Sequence, residues 1–314
     1  MRVVVVGGYG VFGGNLVEML ARDGHDVWVA GRESAKVALA AVMFASQTGK
    51  NIESLQVDLS ADLTPIFAVQ PDAVVDAAGP YHAYGGDTYR LPKACIARAV
   101  HYLDLSDSGP FTEGISAFDD AAKAAQVTVL SGASSVPGLS SSVVAALGSD
   151  LDAINVIESA ILPGNDAPRG VSVISSIVSQ VGKPLAVMRG GRWIKVHGWE
   201  ERELFVLKTP WGKDLRRAGY AIGAPDHILF PTFFGARSVR FHAGLELPIM
   251  NGSLFALSWL RRVIPLPSPS WALRALKMLA DAMRPLGSDI GGMLVRVRGT
   301  RAGKAVTKEW HLIA

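Results

Sequence analysis

Residues 2–13 read Arg2-Val3-Val4-Val5-Val6-Gly7-Gly8-Tyr9-Gly10-Val11-Phe12-Gly13, a β-branched run that passes directly into closely spaced glycines. The run predicts a strand buried on both faces. Beyond it Phe12, Leu16, Met19 and Leu20 recur at helical spacing, which places the glycines in a strand-to-helix turn. In Gly8-x-Gly10-x-x-Gly13 each glycine answers a separate steric demand: Gly8 a tight reversal, Gly10 the approach of a pyrophosphate to the backbone, and Gly13 close packing of helix on strand. Unpaired N–H groups at the helix start then face the phosphates. The turn is read as a dinucleotide site made by Gly8, Tyr9, Gly10, Val11, Phe12 and Gly13.

A second strand, Asp26-Val27-Trp28-Val29-Ala30, ends in Gly31-Arg32-Glu33. Where an acid would grip a ribose 2′-hydroxyl the chain has Ala30 and Gly31, and Arg32 follows with a planar fork of donors suited to a 2′-phosphate. The expected cofactor is therefore NADP(H); the alternative turns Glu33 to the ribose and leaves Arg32 in solvent.

Up to about residue 149 strands and helices alternate, as in a parallel sheet covered on both faces. Strands are expected at 54–57, 73–77, 102–105 and 127–130, and helices near 34–47, 88–99 and 118–125. Ligands in such sheets bind beyond the carboxyl ends of the strands. The residues there are small or polar: Asp58-Leu59, Ala77-Ala78-Gly79-Pro80-Tyr81-His82, Ser106-Asp107-Ser108 and Ser131-Gly132-Ala133-Ser134. After Val136-Pro137-Gly138-Leu139 the pattern changes. A helix over 140–147, a strand over 154–162 and a helix carrying Ile174, Ile177, Val178 and Val181 precede strand-like stretches at 193–197, 203–207, 238–242, 294–298 and 306–312. The expected fold is α/β: a doubly wound Rossmann domain over 1–149, then an α+β domain for substrate or dimerisation over 150–314, built on a mixed sheet.

The chain has 314 residues, 49% of them hydrophobic, enough for two cores. It shows neither a secretory leader nor an apolar run long enough to span a bilayer, so a cytoplasmic location is expected. One cysteine, Cys95, excludes an internal disulfide and builds no metal site, and is expected to be a buried structural thiol. The net charge of +3 conceals an asymmetry: −6 over 1–149 and +9 over 150–314. A basic second domain suits an anionic substrate, an anionic membrane surface or a solvated face alike. No nucleic-acid-reading motif accompanies the charge, and nucleic acid is not expected as a partner. The stretch from Leu254 to Leu286 interleaves Trp259, Arg261, Arg262, Trp271, Arg274 and Lys277 with leucines and prolines. Packing on the core or in a homodimer is favoured for it over membrane contact.

With these pieces assembled, the chain resembles the saccharopine dehydrogenase-like (saccharopine reductase) oxidoreductases. The resemblance is carried by the glycine turn, by Val74-Val75-Asp76-Ala77-Ala78-Gly79-Pro80-Tyr81, by Ala94-Cys95 followed by His101-Tyr102-Leu103-Asp104-Leu105, and by Pro137-Gly138-Leu139-Ser140. It covers about the first 145 residues and implies a Rossmann domain followed by an α/β domain capping the nicotinamide. Asp76 stands where such proteins often carry Asn. Members commonly continue beyond the strand that ends near Ala314 and return to the first domain, so the resemblance implies a short or truncated member.

Hydride transfer to or from a carbonyl or imine carbon needs one proton handled beside it. Tyr81, His82 and Asp107 are the candidates, because they follow the strands that end at the nicotinamide side. Asp58 is expected to accept from the adenine amino group or to cap the next turn. Ala78, Gly79 and Pro80 are expected to border the cofactor. An amino-acid or keto-acid substrate would call on arginines such as Arg169, Arg189, Arg192, Arg237 or Arg240. Two alternatives stand beside this reading. One is an atypical short-chain dehydrogenase or epimerase, since Gly7-x-x-Gly10-x-x-Gly13 also fits and Tyr89-x-x-x-Lys93 supplies the letters of its catalytic pair, although Pro92 interrupts them. The other is a non-catalytic NADP(H)-binding sensor or membrane-associated scaffold.

Overall fold

The computed structural model describes residues 1–264, 266 and 270–314. The chain divides into two compact units, Met1–Ser134 and Ser135–Ala314.

In the first unit, β1 (Arg2–Val6), β2 (Asp26–Gly31), β3 (Ile52–Gln56), β4 (Ala73–Asp76), β5 (His101–Asp104) and β6 (Val129–Leu130) form one sheet in the order β3-β2-β1-β4-β5-β6, every pair parallel. The connecting helices are α1 (Val11–Arg22), α2 (Ser34–Thr48), α3 (Thr64–Ala68), α4 (Arg90–Ile96), α5 (Gly109–Gly114) and α6 (Asp119–Ala124). The valine run explains the centre of this sheet. Alternation sends Val3 and Val5 into a core with Val17, Val37 and Phe44, while Val4 and Val6 enter the opposite core with Ile66, Leu91, Cys95 and Tyr102. Both faces are thereby covered, as parallel pairing by right-handed crossovers requires. The order reverses between β1 and β4, so a crevice opens at their carboxyl ends.

The second unit contains α7 (Ser140–Gly148), β7 (Ala153–Leu162), α8 (Val171–Gln180), β8 (Pro184–Arg189), β9 (Arg192–His197), β10 (Glu203–Leu207), β11 (Leu215–Ala221), α9 (Asp226–Phe234), β12 (Ser238–Ala243), α10 (Pro248–Val263), α11 (Ser270–Ala282), β13 (Gly292–Arg301) and β14 (Lys304–Ile313). Its main sheet runs β10-β11-β12-β7-β13-β14 and is mixed: β12 pairs with β7 in parallel, the other neighbours antiparallel. The β8–β9 hairpin turns at Gly190 and Gly191, both with positive φ. One sheet face buries Ile157, Val239, Phe241, Val295 and Val297 with Val144 of α7 and Phe230 of α9. The other face splits. Its apolar part joins Ala160, Leu162, Phe205, Leu207 and Leu294. Its charged part sets Arg240, Glu158, Arg296 and Glu309 side by side on β12, β7, β13 and β14, with the Glu158 carboxylate buried among the cations.

The expected boundary after Ser149 lies later than the division seen here. The stretch from Ser135 through α7 joins the second unit because α7 packs against β13, β7 and α9 and buries Val143 and Val144 there. Among the described residues no helix is long and apolar enough to cross a membrane.

Candidate functional site

The turn after β1 folds as its glycines demand. Gly7 has φ +76°, and a Cβ on it would lie 2.6 Å from the Ala78 Cα, so the turn presses directly on the loop that follows β4. At Gly13 a Cβ would lie 2.3 Å from the Gly7 carbonyl oxygen, and at Gly10 3.1 Å from the same atom. Helix α1 begins at Gly10 with no side-chain cap, so its first-turn N–H groups remain available at the crevice. Of the flanking residues, Gly8 is buried, Tyr9 and Val11 are half-buried and Phe12 is exposed. A pyrophosphate fits this cradle: the donors are uncapped, the approach to Gly10 carries no side chain, and the helix dipole is favourable.

At the end of β2 the Tyr9 ring lies over Gly31, where a Cβ would come within 2.3 Å of its Cε1. A carboxylate side chain at residue 31 would therefore displace Tyr9. Arg32 is exposed just beyond, with its carbonyl accepting from Gln56. The rival Glu33 carboxylate is held by Lys36 at 2.8 Å. Asp58, after β3, accepts from the Ser60 N–H at 2.9 Å and hydroxyl at 2.7 Å; these bonds hold its carboxyl below the usual range, with a smaller contribution from the Arg32 charge. It thus forms a local turn at the rim near Arg32.

Beyond β4, Ala78, Gly79 and Pro80 lead to Tyr81 and His82. The Tyr81 hydroxyl donates to the Asp76 carbonyl oxygen at 2.6 Å and accepts the Leu105 N–H at 3.1 Å, tying the end of β4 to the end of β5. Its ring is buried between Tyr84 and Phe111, and burial raises its ionisation far above the ordinary tyrosine value. His82 and Asp107 are both exposed, one beyond each of these neighbouring strands.

Behind them lies a constellation that the motif reading did not assign. Asp76 and Asp104 end β4 and β5 in matched register and are both buried. The Tyr84 hydroxyl donates between the two Asp76 carboxylate oxygens, 3.0 Å from each, and the Ala78 N–H reaches Oδ1 at 3.1 Å. Burial, reinforced by the Asp104 charge, pushes the Asp76 carboxyl up to about 7. Asp104 is raised as well, chiefly by burial, although its Oδ1 accepts from the Ser106 N–H, the Ser131 hydroxyl and the Gly132 N–H. The sequence held a signal for the pair: two acids closing adjacent parallel strands of otherwise apolar composition.

The remaining candidates have other occupations. Cys95 is buried, and burial pushes its thiol up to about 12, as befits a structural thiol. Tyr89 gives its hydroxyl to the Phe111 carbonyl at 3.1 Å while Lys93 pairs with Asp87 at 2.9 Å, so Tyr89-x-x-x-Lys93 is not assembled as a catalytic pair. In the second unit Arg169 donates to the Asn165 carbonyl, Arg189 pairs with Glu201, and Arg240 lies 3.5 Å from Glu158; Arg192 and Arg237 are exposed. Among the described residues no cluster of His, Cys, Asp and Glu could hold a metal ion.

Residues 3–130 match the family described as the saccharopine dehydrogenase NADP binding domain. No curated protein matches the chain. Among solved structures, the bulky-bulky ketone specific alcohol dehydrogenase from Comamonas testosteroni is 14% identical, over 41% of this chain and 70% of its own, at a TM-score of 0.33. A short-chain dehydrogenase from Sphingobium yanoikuyae in complex with NADPH is 14% identical, over 41% of this chain and 69% of its own, at a TM-score of 0.32. AtPrR2 in its apo form is 25% identical, over 41% of this chain and 46% of its own, at a TM-score of 0.31. From the parallel six-stranded sheet, the uncapped glycine turn and the family match together, residues 3–130 are an NADP-binding Rossmann domain of the saccharopine dehydrogenase type.

Proposed function

We propose that the protein is an NADP(H)-dependent oxidoreductase acting on a carbonyl or imine carbon of an amino-acid-like or keto-acid-like substrate. When bound, the nicotinamide would supply or accept the hydride. The residues of this chain do the rest. The first-turn N–H groups of α1, reached across Gly10, bind the pyrophosphate. Arg32 binds the 2′-phosphate, and Asp58 lies at the adenine side. Ala78, Gly79 and Pro80 border the nicotinamide side, since their loop touches the turn at Gly7. His82 and Asp107, exposed beyond β4 and β5, move the proton at the heteroatom of the reacting carbon. Tyr81 braces the two strand ends by its committed hydroxyl. The observation that carries the reading is the junction at Gly31: Tyr9 covers the place of a ribose-binding acid, and an exposed guanidinium follows.

Parallel titrations with NADPH and NADH, followed by thermal stabilisation, test the cofactor assignment. NADPH is expected to bind more tightly, and Arg32→Ala to weaken NADPH about tenfold or more while changing NADH little. Equal binding of the two cofactors, unaltered by the substitution, overturns the role of Arg32. Turnover is tested separately by following NADPH oxidation with keto acids and amines. His82→Ala and Asp107→Asn are expected to lower kcat by about 100-fold in the one that handles the proton. Tight NADPH binding with no turnover of any carbonyl or imine would favour the non-catalytic sensor instead.

A further inference from the structure

Helices α10 and α11 are amphipathic in the reverse of the sense expected beside water. On α10 the inward side is polar: Asn251 exchanges hydrogen bonds with the Leu245 backbone, Ser258 donates to Glu200, and Arg261 donates to the Val178 carbonyl. Leu254 and Leu257 join the core from this helix, and the Phe255 ring meets the buried Tyr220. Ile249, Ala256, Trp259, Leu260 and Val263, at offsets of 0, 7, 10, 11 and 14, share one helical face and are exposed, Val263 by 81%. On α11, which leans on α8, Lys277 pairs with Asp281 beside Arg169 and Arg284, whereas Trp271, Met278 and Leu279 face outward, Trp271 by 71% and Met278 by 74%. A surface helix normally turns its charges out and its apolar stripe in. Two helices consecutive in the chain that do the opposite each present an apolar stripe outward, the mark of a surface that meets a partner.

The charges on the same stretch indicate what covers it. Of the cations over 248–286, Arg261 is turned inward, Lys277 pairs with Asp281 and Arg284 with Asp166, while Arg262, shared with Glu200 at 3.3 Å, and Arg274 lie exposed beside the stripes. The Arg262 guanidinium stacks 4.8 Å from the Trp259 ring centre, placing cation and indole at one depth. A second copy docked symmetrically would set the exposed Arg262 and Arg274 against their own counterparts. Negative headgroups above acyl chains match both features of this surface, because they pair with Arg262 and Arg274 and admit the tryptophans and aliphatics to the interface. We propose that α10 and α11 dock the protein on a membrane surface rich in anionic lipid, with the outer stripes of both helices sunk to the headgroup–acyl boundary.

The full chain would be sedimented with phosphatidylcholine vesicles with and without phosphatidylserine. Binding is expected only where phosphatidylserine is present. It should weaken about tenfold or more in Trp271→Ser/Met278→Ser and in Trp259→Ser/Val263→Ser, and severalfold in Arg274→Gln, which leaves both apolar stripes intact. Thermal melts establish that each variant is folded. Three results would overturn the proposal: no binding to the anionic vesicles, equal binding to neutral and anionic ones, or a dimer in sedimentation equilibrium that the same serine substitutions dissociate.

Discussion

Gly13 has no alternative in this turn, because a methyl group there would lie 2.3 Å from the Gly7 carbonyl oxygen and 2.9 Å from its carbon. Gly13→Ala is expected to push α1 from β1, to cost about 2 kcal/mol or more in a denaturant titration, and to abolish NADPH binding. Asp76 has a different liability. Its carboxyl rests at about 7 in the folded chain against an ordinary 3.8, so between these values the folded state keeps a proton that the unfolded state has released. Stability is then highest below about pH 4 and falls as pH rises through about 7 as far as this group is concerned. Asp76→Asn removes the ionisation and keeps an acceptor for Tyr84. Thermal melts should show the variant more stable than the parent near pH 8, by on the order of 4 kcal/mol, with the gap narrowing at pH 5 and closing only below about pH 4. A parent that melts at the same temperature at both pH values would show that Asp76 is not held protonated.

His227 joins α9 to β12 by accepting the Phe241 N–H on Nε2 at 3.2 Å. Burial, with the neighbouring His242 and Arg189 charges, lowers it to about 4. The folded form of this ring therefore refuses a proton that the unfolded form takes up, and stability is lost as pH falls from about 6.5 toward 4. Tryptophan-detected urea midpoints should fall across that window and fall less in His227→Gln; equal slopes would assign the acid sensitivity to other groups such as His242. These same elements show what periodicity could and could not reveal. The strands β1, β2, β7, β10 and β12 were legible within a residue or two, β1, β2 and β7 because valines and isoleucines crowd them, β10 and β12 because aromatic and aliphatic residues alternate with polar ones or fill them. Helix α9 was missed: Asp226-His227-Ile228-Leu229-Phe230-Pro231-Thr232-Phe233-Phe234 is apolar on every side and carries an internal proline, so no face stands out. Strand β11 was missed because Leu215-Arg216-Arg217-Ala218-Gly219-Tyr220-Ala221 does not alternate, and Gly219 is there to clear the Phe205 ring. At the crevice the glycine turn and Arg32 were read from spacing alone. The Asp76–Tyr84 contact was not, because it depends on a loop returning eight residues later to the strand it left.

The two units differ in charge, in layers and in how much their sequences disclose. The first contains a recurrent nucleotide-binding topology whose short turn identifies it, while the second builds its sheet from hairpins and one parallel pairing, β12 with β7, brought together from distant parts of the chain. They differ as well in their natural reporters. The only thiol, Cys95, is sealed among Leu91, Val100 and Tyr102 of the first unit, and six of the seven tryptophans, all but Trp28, belong to the second. A thiol reagent should leave the native chain unlabelled and react at the rate at which the first unit opens, slowed further by saturating NADPH. Indole emission in the same cuvette follows the second unit. The unmodified chain thus carries two independent clocks, one chemical and one optical, and a mutation in either unit can be timed without attaching a dye.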